Sequence, residues 1–453
     1  MSRRLVAAAV GLALLSGTAL AAPLTVFTAA PDQDALKITA AQSSKAGAKK
    51  LDLTVGVGSA IFVDRSGPEP RIFTVGDRGP NFTCDEAEEP LGLTAEIACP
   101  AVEGAKAGKG RIYPTPDYAV SIYEIALDPA TKTFKVVSTT PLKTPAGKPV
   151  LGIPNPLTVA TTDFARDIDG APIPLDPAGI DAEGLVRLPD GRFFIAEENA
   201  TGLVEVAPDG TILRRFVPAG TEKDFADAGY PVVGSLPALL AKRNANRGLE
   251  SLALGADGQT LFTMVQNPLA NPDAETYRDA VNTRLIKLAI GRDGEATTLT
   301  PVAEYVYVLE DWQTYKAAGA RDAKRPSSLR ISEMTQLGGD RFLVDERTDQ
   351  VAKLFEIDLT GATNILGGEF DQAAAVPTLE QVEDLKAVEI TPVKKTERLL
   401  ASSLKDAKPR FPEKIEGLGL LPDGRLLIVN DNDFGIVGAR TEFVIVDGLS
   451  LGK

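Results

Sequence analysis

Short runs of apolar residues recur along the chain in pairs, and the two runs of a pair are joined by a turn that contains Asp-Gly or Gly-Asp. Residues 183–198 and 416–431 match position for position, each with Glu-Gly-Leu, then Pro-Asp-Gly-Arg, then a second apolar run. Further copies begin at Glu250 and Glu333, and a degenerate first copy begins at Ser59. An Asp-Gly turn between short apolar runs is typical of a β-hairpin, so each copy predicts two antiparallel strands.

Two more strand-like runs follow each of the first four copies, so the repeating unit has four strands. The copies start 67 to 83 residues apart, with one gap of about 125 residues between the first and the second. This spacing, without the helices that a mixed α/β sheet needs, predicts an all-β fold, a β-propeller of four-stranded blades. Five blades can be counted, and the long gap leaves room for a sixth.

The last unit shows only three strands, which end near residue 446. A ring whose two ends do not share a blade would expose two unpaired strand edges. We therefore expect an N-terminal strand, either residues 24–27 or residues 51–57, to complete the last blade. Two stretches without strand patterning, near residues 80–110 and 141–180, are interpreted as loop insertions into a single domain over residues 22–453.

The first 21 residues have the pattern of a secretory signal peptide, with two arginines, an apolar run over residues 5–20 and small residues before a cleavage point after Ala21. This pattern predicts a secreted or periplasmic protein without a membrane span. In an oxidising compartment the only two cysteines, Cys84 and Cys99, are expected to form a disulfide.

The composition narrows the chemistry that the chain can perform. Its 453 residues include no histidine, and 62 Asp and Glu against 48 Lys and Arg give a net charge of −14. Ser-His-Asp catalysis, Cys-His catalysis and histidine-ligated zinc are therefore excluded. An acidic surface also repels the phosphates of nucleic acids. Catalysis would have to use carboxylates, Lys, Arg, hydroxyls or a bound hard cation.

In a propeller the innermost strand of each blade starts, and the next strand ends, at one face beside the central channel. The starts of four inner strands carry Glu183, Glu250, Glu333 and Glu416. Their charges would raise one another's pKa unless cations intervene, and oxygen ligands without histidine favour calcium. The predicted calcium ligands are Asp77, Glu183, Glu198, Glu250, Glu416 and Asp431. The alternative is that the repeated Glu bonds the backbone of a neighbouring blade and holds the ring together.

Basic residues lie close to these acidic positions in the sequence. Arg78, Arg247, Arg347 and Lys414 can pair with the carboxylates or hold a substrate phosphate. The catalytic residues that we predict are Arg247, Glu250, Glu346, Arg347 and Lys414. The oxygen-rich loop over residues 430–435 is open to two interpretations, a loose cation site or a turn built from Asn and Asp.

Six segments carry most of these residues. They are Asp-Ala-Glu-Gly-Leu at 181–185, Ala-Glu-Glu-Asn at 196–199, Asn-Arg-Gly-Leu-Glu-Ser-Leu at 246–252, Phe-Leu-Val-Asp-Glu-Arg at 342–347, Lys-Ile-Glu-Gly-Leu at 414–418 and Val-Asn-Asp-Asn-Asp-Phe-Gly at 429–435. Together they resemble the phytase-like domain that is described as having esterase-like activity, and the resemblance covers residues 56–447. It implies a secreted propeller hydrolase acting on phosphoesters or related esters, with calcium expected by analogy with propeller phytases.

The leading hypothesis is a metal-assisted phosphoesterase with a small-molecule substrate. Calcium would offset phosphate charge and activate a bound water, while Arg or Lys steadies the developing charge. Two alternatives stay open: a non-catalytic propeller that binds a protein or glycan through its loops, and a sugar lactonase-like ester hydrolase with the same metal chemistry. We expect a monomer that binds no nucleic acid.

Overall fold

The computed structural model describes residues 23–39, 41–158, 161–449 and 451. The signal peptide predicted over residues 1–21 lies outside these residues. In the described part of the chain β-structure predominates, and no helix there has the length and apolar character needed to cross a membrane.

Strands follow one another along the chain with few helices between them. The strands are β1 (Leu24–Ala29), β2 (Ala60–Asp64), β3 (Arg71–Val75), β4 (Phe82–Thr83), β5 (Arg111–Ile112), β6 (Ser121–Asp128), β7 (Thr133–Pro141), β8 (Ala165–Arg166), β9 (Ala182–Arg187), β10 (Phe193–Glu197), β11 (Gly202–Val206), β12 (Ile212–Pro218), β13 (Val232–Leu236), β14 (Leu249–Leu254), β15 (Thr260–Val265), β16 (Asn282–Asp293), β17 (Ala296–Val308), β18 (Arg330–Gly338), β19 (Arg341–Arg347), β20 (Val351–Asp358), β21 (Lys394–Ser402), β22 (Ile415–Leu420), β23 (Leu426–Asn430) and β24 (Glu442–Val446). The α-helices are α1 (Glu88–Leu91), α2 (Ala95–Ala98), α3 (Ala274–Asp279) and α4 (Trp312–Ala317).

Most of these strands form five blades, each built from four antiparallel strands. From the channel outward the blades are β2-β3-β6-β7, β9-β10-β11-β12, β14-β15-β16-β17, β18-β19-β20-β21 and β22-β23-β24-β1. The inner strands β2, β9, β14, β18 and β22 pack in that order around the channel, and β22 packs on β2. The predicted all-β propeller is confirmed with five blades, and the described residues between the first two blades contain no sixth.

Strand β1 closes the ring. It pairs antiparallel with β24, with Leu24 opposite Val446, and so forms the outer strand of the fifth blade. It also pairs parallel with β7, which joins the first and fifth blades into one eight-stranded sheet. The expected closure by an N-terminal strand is confirmed, and residues 24–27 supply it rather than residues 51–57. Because the two ends of the chain share a blade, the seam of the ring is hydrogen-bonded.

Aromatic side chains hold neighbouring blades together. Their rings meet edge to face or tilted, with centroids 4.6 to 5.4 Å apart, in the pairs Phe73–Phe193, Phe134–Phe443 and Phe262–Phe342. Each pair adds about 0.5–1.5 kcal/mol to the free energy gained by burying its apolar surface. The apolar residues of the repeat therefore pack between the blades, while polar and charged residues line the end of the channel beside the cap.

A small subdomain, which we call the cap, consists of residues 81–112 together with β8. Strands β4, β5 and β8 form its three-stranded sheet, and α1 and α2 lie between β4 and β5. Cys84 and Cys99 form the expected disulfide, with an S–S distance of 2.03 Å and a Cα–Cα distance of 6.0 Å. Several cap residues, including Phe82 and Arg111, line a cavity that they share with the blades.

Candidate functional site

A cavity of about 500 Å³ opens at the mouth of the channel beside the cap. All five blades contribute to it, because the second strand of each blade ends there. The residues at or just beyond these strand ends are Asp77, Glu198, Gln266, Arg347 and Asp431. The five equivalent places thus hold three acids, one amide and one base, so the mouth is chemically asymmetric.

Three of the four repeated glutamates reach this cavity because each occupies a β-bulge. In β9, β14 and β22 one residue is skipped in the pairing with the second strand, and that residue is Glu183, Glu250 or Glu416 respectively. A bulge takes the extra residue out of the regular ladder and re-aims its side chain. The three carboxylates consequently line the mouth together.

The fourth glutamate, Glu333, lies elsewhere, so its expected place at the mouth is wrong. In β18 the skipped residue is Ser332, and Glu333 pairs opposite Asp345. A second bulge at Leu337 adds one residue before the turn, and a shift of one residue exchanges the faces of a strand. Glu333 is buried, and its Oε1 accepts a hydrogen bond from the backbone N–H of Leu252 in the preceding blade at 3.2 Å. This residue has the architectural role considered as the alternative.

Two groups of carboxylates lie close enough together to share a cation. One consists of Asp77, Asp181 and Glu183, and the other of Glu183, Glu198 and Glu250. Within each group one oxygen atom per residue lies within 4.8 Å of the others. Two unit charges at 4.8 Å repel by about 3.5 kcal/mol at an effective dielectric constant of ~20. Full ionisation of these groups therefore needs a cation, and Glu183 is common to both.

Some carboxylate oxygens of these groups lack a hydrogen-bond donor. Asp181 Oδ1 and Glu250 Oε2 are buried without a hydrogen-bond partner among the described residues. Burial, together with repulsion from neighbouring carboxylates, raises the pKa of Asp181, Glu183 and Glu250 well above the ordinary values, although Arg78 lowers that of Asp181. Such oxygens fit calcium, which takes about six to eight oxygen ligands. The chain has no histidine, and the disulfide holds both of its cysteines.

Arg78 is the buried counter-ion of the first group. Its Nη2 lies 3.0 Å from Asp181 Oδ2 and 3.9 Å from Glu198 Oε2, and the side chain is 4% exposed. Burial lowers the pKa of Arg78, but the surrounding carboxylates, Asp181 first, raise it well above the ordinary value. The same guanidinium donates a hydrogen bond to Asn246 Oδ1. Arg78 therefore orients Asp181 and remains a cation.

Blades three to five bring four more cations into the cavity. They are Arg247, Arg330, Arg347 and Lys414. Arg247 Nη1 lies 3.4 Å from Glu198 Oε1, which connects the second carboxylate group to the basic residues. Lys414 forms an ion pair with Asp433, a residue with a left-handed φ of +46°.

Arg347 holds Glu416 in place. The two side chains form an ion pair, and Arg347 Nε donates a hydrogen bond to Ser332 Oγ at 2.7 Å. Burial raises the pKa of Glu416 to about 7, against the opposing effects of Arg347 and Lys414. A carboxyl group with such a pKa can take up or release a proton near neutral pH.

Three predicted site residues stand apart from the two carboxylate groups. Glu346 is fully buried away from the mouth, where its carboxylate accepts hydrogen bonds from Tyr307 Oη at 2.7 Å and Lys395 Nζ at 2.6 Å. Glu346 points away because successive residues of a strand face opposite sides and Arg347 takes the cavity side. We therefore remove Glu346 from the candidate site. Glu416 and Asp431 line the cavity but belong to neither group of close carboxylates among the described residues.

Sequence reasoning misses three residues of the site, Asp181, Arg330 and Asp349. Asp181 immediately precedes β9, and the spacing Asp-Ala-Glu is a signal that could have identified it, since alternate residues share one face of a strand. Arg330 begins β18 opposite Arg347, and Asp349 follows β19 by two residues. Only the strand register brings these two residues to the mouth.

A model of the family Phytase-like, described as "Esterase-like activity of phytase", matches residues 104–434. A protein of Arthroderma benhamiae that is called an uncharacterized secreted protein is 24% identical over 206 residues. That match covers 39% of this chain and 38% of the fungal protein, well under half the length of either.

Two solved structures illustrate the similarity at the level of the chain trace. A putative glycoside hydrolase from Parabacteroides distasonis is 7% identical, with a TM-score of 0.39 over 94% of this chain and 97% of that chain. The PQQ-bound aldose sugar dehydrogenase from Streptomyces coelicolor is 10% identical, with a TM-score of 0.29 over 94% and 99%. Scores at this level carry no inference about function.

Proposed function

The chain belongs to the phytase-like family, and from the residues of its channel mouth we propose that it is a secreted or periplasmic hydrolase of phosphoesters or related esters whose reaction depends on calcium. The observation that carries the proposal is the pair of carboxylate groups that share Glu183, beside six cationic side chains in the same cavity. Export is supported by the signal-peptide pattern and by the secreted fungal relative. The N-terminal sequence of the mature protein, expected to begin at Ala22, tests the export.

Asp77, Asp181, Glu183, Glu198 and Glu250 would hold the calcium. Bound there, calcium would lower the pKa of a coordinated water and offset the negative charge of the ester oxygens. The donor set is made only of carboxylates, and the buried atoms Asp181 Oδ1 and Glu250 Oε2 have no hydrogen-bond partner among the described residues. Asp431, whose Oδ1 is also buried without a partner, is placed to extend the donor set.

The side chains around these carboxylates have separate tasks in the proposed reaction. Arg247 and Arg347 bind the anionic part of the substrate, because a guanidinium fork matches the oxygens of phosphate. Glu416 holds or moves a proton at its carboxylate, since its pKa is raised to about 7. Burial lowers the pKa of Lys414, but the nearby carboxylates, Asp433 first, raise it above the ordinary value, so Lys414 keeps its charge. Phe82 of the cap walls the cavity on one side.

A substrate panel tests the proposal. Phosphomonoesters, phosphodiesters, phytate and carboxylesters are assayed with the purified protein in calcium and in EGTA. We expect calcium-dependent hydrolysis of a phosphoester, reduced by more than about 100-fold in Glu250→Gln, since even outer-shell partners of a metal are worth about 10–100-fold. Glu295→Gln, which removes an exposed carboxylate outside the cavity, is the matched control and should be fully active.

The outcomes separate the competing functions. Hydrolysis of carboxylesters or lactones alone would favour the lactonase-like alternative over a phosphoesterase. An absence of hydrolysis in both conditions, with calcium bound, would contradict the enzyme and favour a propeller that binds a partner through its mouth. Hydrolysis that survives EGTA and Glu250→Gln would contradict the calcium site.

A further inference from the structure

Arg330 and Arg347 are direct cross-strand partners in the hairpin formed by β18 and β19. Like charges directly opposite each other on a sheet repel and destabilise it. Both residues line the mouth cavity, and Arg330 is 23% exposed there while Arg347 is 1% exposed. An arginine pair of this kind is stable only where an anion offsets its charge.

Asp349 supplies part of that offset. Its Oδ1 lies 3.0 Å from Arg330 Nη2 and 3.1 Å from Arg347 Nη1, so one carboxylate oxygen serves two guanidinium groups. Burial raises the pKa of Asp349, but the nearby cations, Arg330 first, lower it to about 2. Its backbone N–H donates to Asp322 Oδ2 at 2.8 Å, and its carbonyl accepts from the N–H of Lys414 at 2.9 Å. Asp349 is thus a fixed anion among cations with long, flexible side chains.

One carboxylate does not saturate these arginines. Among the described residues Asp349 is the only ionic partner of Arg330, which leaves most of its N–H donors without an acceptor. Burial first, and then repulsion by Arg347 and Arg247, lowers the pKa of Arg330 in spite of Asp349. Arg247 lines the same cavity, with its side chain 26% exposed. Arg330 and Arg247 therefore have accessible donors, and Arg330 shares its counter-ion Asp349 with Arg347.

We propose that Arg330, with Arg347 and Arg247, forms a subsite that binds a phosphate group of the substrate directly, without calcium. Guanidinium groups bind phosphate oxygens in pairs of parallel hydrogen bonds. A phosphate dianion fits this subsite better than a carboxylate, because Asp349 is the one ionic partner of Arg330 among the described residues. Arg347 and Arg247, which also pair with Glu416 and Glu198, add two further guanidinium groups. The inference rests on the proposed function for the claim that the bound group belongs to a substrate, and it narrows the substrates to phosphorylated compounds.

Anion binding in EGTA tests the subsite. Inorganic phosphate is titrated calorimetrically into the mature protein at constant ionic strength, with acetate as the comparison anion. We expect saturable phosphate binding that is at least about tenfold weaker in Arg330→Gln. It should be several-fold tighter in Asp349→Asn, which keeps the shape and removes the competing charge. Arg425→Gln, a change at an exposed arginine of the fifth blade, should bind as the wild type does.

Circular dichroism checks that each variant is folded. Arg330→Lys keeps the positive charge but lacks the forked guanidinium group, so it should bind phosphate with intermediate affinity. The inference is overturned if phosphate does not bind, if acetate binds as tightly, or if folded Arg330→Gln binds phosphate normally. The assay needs no turnover. Phosphate binding without hydrolysis of any ester would therefore contradict the proposed function alone, and calcium-dependent hydrolysis without phosphate binding would contradict the subsite alone.

Discussion

Arg347 at the end of β19 and Glu416 in the bulge of β22 form an ion pair across the boundary between the fourth and fifth blades. In the fourth blade the bulge place that corresponds to Glu416 is held by Ser332, which accepts a hydrogen bond from the same guanidinium. A small neutral side chain there leaves space for Arg347. The first blade also has no glutamate at this place, since its inner strand begins at Ala60 after Ser59. The repeated glutamates therefore do not form a complete ring.

Removing Arg347 should destabilise the protein. The two side chains of the pair are 1% and 12% exposed, and loss of one partner from a buried ion pair costs about 3–5 kcal/mol. Arg347→Gln should therefore lower the free energy of unfolding by about 3 kcal/mol in urea titrations in EGTA. Part of the loss should be relieved at acidic pH, where Glu416 takes up a proton.

The matched control for Arg347→Gln is Arg425→Gln. Arg425 pairs with Asp423 in an exposed turn of the fifth blade, with side chains 44% and 51% exposed. An exposed pair contributes less than about 1 kcal/mol. An equal loss of unfolding free energy in Arg347→Gln and Arg425→Gln would contradict a stabilising role of the Arg347–Glu416 ion pair.

Calcium should raise the melting temperature through the carboxylates that share Glu183. A ligand that binds only the folded state stabilises it by about 2.7 kcal/mol at a hundredfold excess over Kd. Glu183→Gln should abolish most of the calcium-induced shift because Glu183 belongs to both groups. Glu416→Gln should reduce the shift less, since Glu416 lies outside them, and Glu295→Gln should not change it. If neither millimolar calcium nor EGTA changes the melting temperature, the proposed calcium site is contradicted.

The fold can be predicted largely because the repeat marks the ends of its hairpins. Asp-Gly turns fix where strands begin and end, so the blades and the closing strand follow from spacing and from the need to pair strand edges. The parallel contact between β1 and β7 and the added strand β13 do not follow from the sequence pattern. No hairpin turn and no periodic sequence pattern predicts either pairing.

The site can be predicted only as far as the strand register can be inferred. Glu183, Glu250 and Glu416 lie at the mouth where the repeat places them, because their strands have the same length between bulge and turn. No residue type in the sequence marks the extra bulge at Leu337. Aligning the repeats on their turns therefore selects Glu333, although Ser332 occupies the equivalent bulge. The pairing of Arg330 with Arg347 depends on the same register, so the sequence pattern does not predict it.

Protons and calcium should compete for the mouth. Burial raises the pKa of Glu416 from 4.5 to about 7 and raises those of Asp181, Glu183 and Glu250 well above their ordinary values. Without calcium these groups bind protons more tightly in the folded than in the unfolded state. Their contribution to stability is therefore complete below the unfolded pKa and is lost as the pH rises through the folded pKa.

Calcium replaces those protons, so the difference in melting temperature between calcium and EGTA should grow as the pH rises from about 5 to about 8. Thermal melts in both conditions at each pH measure it. Taking the difference removes the contributions of groups that calcium does not contact. A difference that stays constant or shrinks as the pH rises would show that these carboxylates do not exchange protons for calcium.

The cap should depend on its disulfide, and the ring of blades should not. Cys84, Cys99, Phe82, Leu91 and neighbouring residues form a core cluster separate from those of the blades. The cross-link spans 15 residues, and closing a loop of that length contributes about 3 kcal/mol. The double variant Cys84→Ser/Cys99→Ser should therefore be cleaved by trypsin within the cap long before the blades are cleaved. The oxidised wild type should resist, and the wild type in reducing agent should follow the variant. Equal cleavage rates would contradict the prediction.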